Sequence, residues 1–373
     1  MTDLIWLLLV VAVGAAFGIT RWLRGADMRQ WDRAEGAEVP GGVEERIAAR
    51  SEGTTDEQRA VLAALDRLLA DVTRVPYAQR IPKMRAAMDK LMHGRDFGCR
   101  FVAADAAGVA AEWVLAPGAD PARRMLYIHG GAYTAGSPLS HRSITARLAE
   151  ITRGAVLAID YRLMPEHPRR AGIDDCRGAY RWLLANGPDG PSAPGAIFVA
   201  GDSAGGNLTL SLVAWVRDQG LRAPDAAVAL SPSTDSTFGS PSLRAKLATD
   251  PMLGPVFAPL ARFPRFVLLW GSWLQTRIRP ANPIVSPLHG DLSGLPPLLI
   301  QASRDEMLID DARRYTNRAR AAGSPVRLQT WPGMVHVWQI FDPGLTEARD
   351  AFERIAEFLA AAAPAARARA GAA

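Results

Sequence analysis

AGDSAGGNL, Ala200 to Leu208, surrounds a single hydroxyl, that of Ser203, with Gly201, Ala204, Gly205 and Gly206. An apolar run, AIFVA (Ala196 to Ala200), precedes it, and a helical pattern from Asn207 to Val216 follows. Ser203 therefore sits on a strand-to-helix connection, flanked two residues away on each side by glycine. G-x-S-x-G in that setting is a sharp turn that forces the serine into a strained backbone conformation and projects its oxygen outward. The helix that follows aims its N-terminal amides and the positive end of its dipole at the same place. A glycine-rich connector with an incidental serine is the alternative, and the strand before and helix after argue against it.

On both sides of this stretch, short apolar runs alternate with helical ones. MLYIH (Met125 to His129), VLAID (Val156 to Asp160), AVALS (Ala227 to Ser231), PLLIQA (Pro297 to Ala302) and VRLQTW (Val326 to Trp331) read as further strands. Helical stretches near His141 to Thr152 and Asp174 to Asn186 separate them. Fully apolar strands alternating with helices predict an α/β fold with a mostly parallel central sheet, covered on both faces. Upstream, Thr55 to Gln58 forms a capping box, followed by an amphipathic helix through Val72, and a second helix spans roughly 81–92.

A nucleophilic serine needs a base, an orienting acid and oxyanion donors. His129-Gly130-Gly131 follows the first of these strands, where Gly130 and Gly131, with the amide of Ala204, would donate backbone N–H groups to a developing oxyanion. Of the 6 histidines only His289 and His336 follow the serine, and only His336 lies in a loop after the last strand. Asp305 stands just past PLLIQA, and its neighbour Glu306 is the rival for the acid; Asp305 is preferred for its place at the strand end.

The HGG loop, DYRLMPEHP (Asp160 to Pro168), GDSAGGNL, the Asp305 segment and PGMVHVW together resemble the hormone-sensitive-lipase family of α/β-hydrolases, in its bacterial esterase branch. The resemblance covers roughly residues 55–360. It implies hydrolysis of short- to medium-chain or lipid-like carboxylic esters through an acyl-enzyme, with Ser203 as nucleophile, His336 as base, Asp305 as its partner, and no metal or cofactor. The loop departs at Ala132, where many members carry a third glycine. An amidase or deacetylase would use the same machinery, and a non-catalytic ligand receptor on this fold would have lost the serine or histidine. The family also implies a helical cap, built here from residues 54–96 and an insertion at about 237–279, on a core spanning 97–360. Of the insertion's aromatics, Phe257, Phe263, Phe266, Trp270 and Trp273, most are expected to pack the cap onto that core.

Net charge is +5 with Lys and Arg scattered, which argues against nucleic acid. The 2 cysteines, Cys99 and Cys176, have neither metal-ligand spacing nor the density of a disulfide scaffold. Leu4 to Ile19 carries no charge, Trp6 and Trp22 flank it, and Arg21, Arg24, Arg29 and Arg33 follow. This segment, within residues 1–25, predicts a membrane-spanning anchor with the catalytic domain on the cytoplasmic side. Residues 26–53 read as a linker and 361–373 as a disordered tail. The expected partners are thus a small-molecule ester and a membrane.

Overall fold

The computed structural model describes residues 2–32, 44–51 and 53–364. Helix α1 (Thr2–Arg24) leads to strand β1 (Glu44–Arg46) and then to helices α2 (Asp56–Thr73) and α3 (Arg80–Met92). The capping box forms as the sequence predicts: Thr55 Oγ1 accepts from the Gln58 amide at 3.2 Å, and Gln58 Oε1 accepts from the Thr55 amide at 3.0 Å. Two strands absent from the sequence reading, β2 (Arg100–Asp105) and β3 (Ala110–Leu115), open the core. The remainder alternates: β4 (Asp120–Ile128), α4 (Arg142–Thr152), β5 (Gly154–Ile159), α5 (Arg169–Leu183), β6 (Ala196–Asp202), α6 (Ala204–Asp218) and β7 (Ala226–Leu230). Between β7 and the next strand come α7 (Ser242–Ala245), α8 (Leu253–Ala261) and α9 (Arg265–Thr276). The chain closes with β8 (Leu298–Ser303), α10 (Ile309–Ala321), β9 (Val326–Trp331) and α11 (Thr346–Ala362).

The strands form one sheet in the order β1-β9-β8-β7-β6-β4-β5-β3-β2. Pairing is parallel from β1 through β5, and β3 runs antiparallel to both β5 and β2. Strands β5 to β8 are buried along their whole length, because helices cover both faces. Along β6 the side chains alternate: Ile197 and Val199 enter the core under α5, α6 and α10, and Phe198 and Ala200 enter the one under α4 and α11. The chain thus has an α/β-hydrolase architecture, with its β6–α6 connection near the middle of the sheet.

Strand β1 lies in the stretch expected to be a linker. It pairs with β9, Glu44 opposite Leu328 and Arg46 opposite Thr330. Residues 33–43 and Glu52, and positions 365–373 of the expected tail, fall outside the described residues.

The expectation of a membrane anchor, and with it of a membrane-tethered cytoplasmic enzyme, is corrected. Among the described residues no helix is long and apolar enough to cross a membrane. The uncharged run, Leu4 to Thr20, is short of the roughly 20 apolar residues a bilayer core needs. The last turns of α1 are instead committed to protein. Leu23 is fully buried, Thr20 Oγ1 accepts from the Trp270 indole at 2.9 Å, and the Trp22 ring meets Trp273 edge-on at 6.3 Å. Arg279 Nε donates to the Trp22 carbonyl at 2.7 Å. Further on, Asp32 pairs with the buried Arg314 at 2.5 Å.

Candidate active site

Ser203 stands between β6 and α6 with φ 52° and ψ −114°, outside the regions that L-residues prefer. Its amide donates to the Leu230 carbonyl at 2.7 Å, and its own carbonyl accepts from Asn207 at 3.0 Å, starting α6. The flanking glycines are required by contact. A Cβ on Gly201 would sit 2.6 Å from the Ile128 carbonyl, and one on Gly205 would overlap that same oxygen and approach the His129 carbonyl at 2.6 Å. Backbone closeness between this turn and the end of β4 is what holds the serine in its strained state.

His336 follows β9 in a loop and is buried. Its Nε2 lies 2.9 Å from Ser203 Oγ and its Nδ1 lies 2.9 Å from Glu306 Oε2. The sequence preference for Asp305 is therefore corrected: the carboxylate on the imidazole belongs to Glu306. Asp305 turns outward instead, accepting from the Gly333 amide at 2.7 Å and facing Lys246 Nζ at 3.4 Å. The two residues are adjacent after β8, so their side chains diverge, and the inward one is the longer Glu306, fully buried.

Burial opposes a charge on His336, but the hydrogen bond and the negative charge of Glu306 outweigh it and raise its pKa above the ordinary histidine value. For Glu306 burial wins: its carboxyl is raised, although His336 pulls the other way. Such a pair holds the imidazole with Nδ1–H toward the carboxylate and Nε2 toward the serine.

The loop after β4 is braced from below. His129 stacks on Tyr161 at 4.4 Å, the Tyr161 hydroxyl donates to the His129 carbonyl at 3.0 Å, and His129 Nδ1 meets the Gly130 carbonyl at 2.7 Å. Burial, with His141 nearby, holds the His129 pKa down to about 3, so the ring is neutral and its Nδ1–H donates. Asp202, also buried, accepts from the Tyr127 hydroxyl at 2.6 Å and from the Gly130 amide at 2.9 Å. This corrects the reading of Gly130 as an oxyanion donor, because its N–H is already committed to Asp202. The amides of Gly131, Ala132 and Ala204 donate to no acceptor among the described residues. Gly131, Ala132 and Tyr133 have φ of 107°, 53° and 63°, a left-handed run that turns the loop sharply at this point.

The segments around the site are fastened to this loop. Arg85 of α3 donates to the Thr134 carbonyl at 2.7 Å and the Met164 carbonyl at 3.0 Å, and pairs with Glu166 at 2.8 Å. The two tryptophans of α9 pack edge-on against each other at 5.6 Å and against Thr20 and Trp22 of α1, whereas Phe263 and Phe266 are half exposed. A cavity of about 260 Å³ lies between α2 and the Pro332–Val335 stretch leading to His336, with Val61, Leu62 and Trp331 in its wall. Among the described residues no cluster of His, Cys, Asp and Glu is placed to hold a metal ion.

A strained serine between β6 and α6, bonded to an imidazole that a buried carboxylate orients, is the arrangement that serine-type α/β-hydrolases use. A family profile described as alpha/beta hydrolase fold matches residues 125–340. The chain is 41% identical over 249 residues to an acetyl-hydrolase of Streptomyces hygroscopicus, covering 67% of this chain and 79% of that one. It is 36% identical over 254 residues to the carboxylesterase/phospholipase LipF of Mycobacterium tuberculosis, covering 67% and 66%. The crystal structure of an esterase from the bacterial hormone-sensitive lipase family superposes with a TM-score of 0.71 at 35% identity, over 82% of this chain and 98% of that one. EstE7, a hormone-sensitive-lipase homologue from a metagenome library, gives 0.69 at 32% identity, over 83% and 99%. The chain belongs to the hormone-sensitive-lipase family of α/β-hydrolases, and it is a hydrolase of the carboxylesterase and lipase type.

Proposed function

We propose that this protein cleaves carboxylic esters, of short to medium acyl chain or lipid-like, by transferring the acyl group to Ser203. His336 Nε2 takes the Ser203 proton as Oγ attacks the ester carbonyl. Glu306 fixes the ring and stabilises the imidazolium that forms. The tetrahedral oxyanion takes hydrogen bonds from the amides of Gly131, Ala132 and Ala204, the last at the N-terminus of α6. The imidazolium protonates the departing alcohol, and water, activated by the same ring, releases the acid. Helices α2, α3 and α7 to α9 act as the cap over this centre. The observation that carries the reading is the pair of 2.9 Å contacts on opposite nitrogens of His336.

Labelling by a fluorophosphonate probe, with p-nitrophenyl esters of graded chain length as substrates, tests it. The wild-type protein is expected to take up one probe at Ser203. Ser203→Ala is expected to lose labelling and about a million-fold in kcat while keeping its fold. Ester turnover persisting in a pure Ser203→Ala sample would overturn the assignment.

A further inference from the structure

Arg169 begins α5 and is buried at 4% exposure, but no carboxylate among the described residues pairs with it. Its neighbours Asp174 and Asp175 are engaged elsewhere, with Arg170 and Arg177 and with Arg162. A buried cation without a counter-charge is costly, so its surroundings must compensate. The guanidinium carbon lies 3.6 Å from the centroid of the Tyr133 ring, and Nη2 donates to Asn207 Oδ1 at 3.1 Å. The Asn207 amide nitrogen in turn donates to the Ser233 and Val285 carbonyls at 2.8 and 2.9 Å.

These two partners lie on the two halves of the site. Tyr133 is the third of three consecutive left-handed residues and directly follows Ala132. Asn207 is on α6, and its backbone amide caps onto the Ser203 carbonyl at 3.0 Å. A left-handed run persists only where the surroundings over-determine it. A planar cation on an aromatic face, with its edge locked to a fully buried amide, supplies such a constraint.

We propose that Arg169 is a positioning residue for ester cleavage: wedged between Tyr133 of the oxyanion loop and Asn207 of the nucleophile helix, its guanidinium sets the loop amides at their distance from Ser203. This rests on the reading of Ser203 as nucleophile and of the loop as its oxyanion site. Arg169 touches no reacting atom; it acts through the two groups it separates.

The test compares Arg169→Met, Arg169→Lys and Tyr133→Ala with the wild type on p-nitrophenyl acetate and with an aryl trifluoromethyl ketone, which mimics the tetrahedral adduct. Arg169→Met is expected to lower kcat about tenfold to a hundredfold with KM changed by less than about threefold. Ketone affinity is expected to fall in parallel, and the pH midpoint of the acid limb to stay in place because His336 and Glu306 are untouched. Arg169→Lys, with charge but no plane, recovers at most part of the loss. Tyr133→Ala, a change on a half-buried loop, reproduces the loss even if Arg169→Met fails to fold, and combining the two adds nothing further. A kcat within about twofold of wild type in both single variants, or a lower kcat with unchanged ketone affinity, overturns the proposal. Fluorophosphonate labelling of the wild type separates the two failures. An unlabelled Ser203 sinks the nucleophile reading, whereas a labelled Ser203 with active variants sinks only the role of Arg169.

Discussion

Glu306 and His336 meet at 2.9 Å with both side chains buried, whereas Asp305, the preceding residue, points outward to Lys246. Exchanging the two acids one at a time therefore has opposite outcomes. Glu306→Gln is expected to lower kcat about ten-thousand-fold, because the amide presents the wrong partner to Nδ1–H. Asp305→Asn is expected to stay within about twofold of wild type. Steady-state kinetics on p-nitrophenyl acetate checks both.

The rate should depend on pH through His336. Burial disfavours its protonation, but Glu306 outweighs burial and its pKa lies above the ordinary 6.5. The protonated ring cannot accept the serine proton, so kcat/KM rises with pH through that raised value, and the acid limb has its midpoint above 6.5. Removing the negative charge in Glu306→Gln leaves burial opposed only by the smaller pull of Asp250 and Asp202, and moves the midpoint to lower pH. A profile whose midpoint does not move between the two proteins would contradict the assignment of Glu306 as the charge felt by the ring.

Gly205→Ala is expected to abolish soluble folded protein or lower Tm by more than about 10 °C, because the added Cβ overlaps the Ile128 carbonyl, a backbone atom that cannot yield. Gly178→Ala, in the interior of α5 with nothing near the new methyl, is the matched control. It is expected to leave Tm unchanged or raised, since alanine stabilises a helix interior by about 0.5–1 kcal/mol over glycine. Thermal denaturation followed by circular dichroism reads both.

Shortening the N-terminus separates what α1 carries from what it does not. Deleting residues 1–19 keeps Thr20 and Trp22 on α9 and the buried Leu23, and Tm is expected to hold within about 2 °C. Deleting residues 1–32 uncovers Trp270 and Trp273 and strips the buried Arg314 of Asp32, and Tm is expected to fall by about 5 °C or more. Equal melting temperatures for the two truncations would show that the docked segment contributes nothing.

The parts of the site that depend on chain order and steric necessity were legible in the sequence. Gly201 and Gly205 announce a close approach of backbone, and His336 is the histidine placed after the last strand, so both ends of the Ser203–His336 contact followed from pattern. The acid did not, because Asp305 and Glu306 are adjacent on one turn, and which of them points inward is settled by packing after β8. Gly130 was misread for a related reason: a glycine amide looks available until Asp202, anchored by Tyr127, takes it. The signal is Asp202 itself, the lone acid of Ala200 to Leu208, directly before the serine. Strand β1 is three residues long and exists only through its pairing with β9, so no periodicity could reveal it. The apolar N-terminal run was visible, but its attachment to α9 depends on tryptophans some 250 positions away.

Because Gly205 rests directly on the carbonyls at the end of β4, the Ser203 turn and the strand leading into the His129–Gly131 loop are wedged into one block of backbone. Helix α3 is fastened to the loop that continues from this block by a side chain, Arg85, on the Thr134 and Met164 carbonyls. Losing that side chain loosens α3 but leaves the Ser203 turn in place, because the turn is held by backbone against backbone.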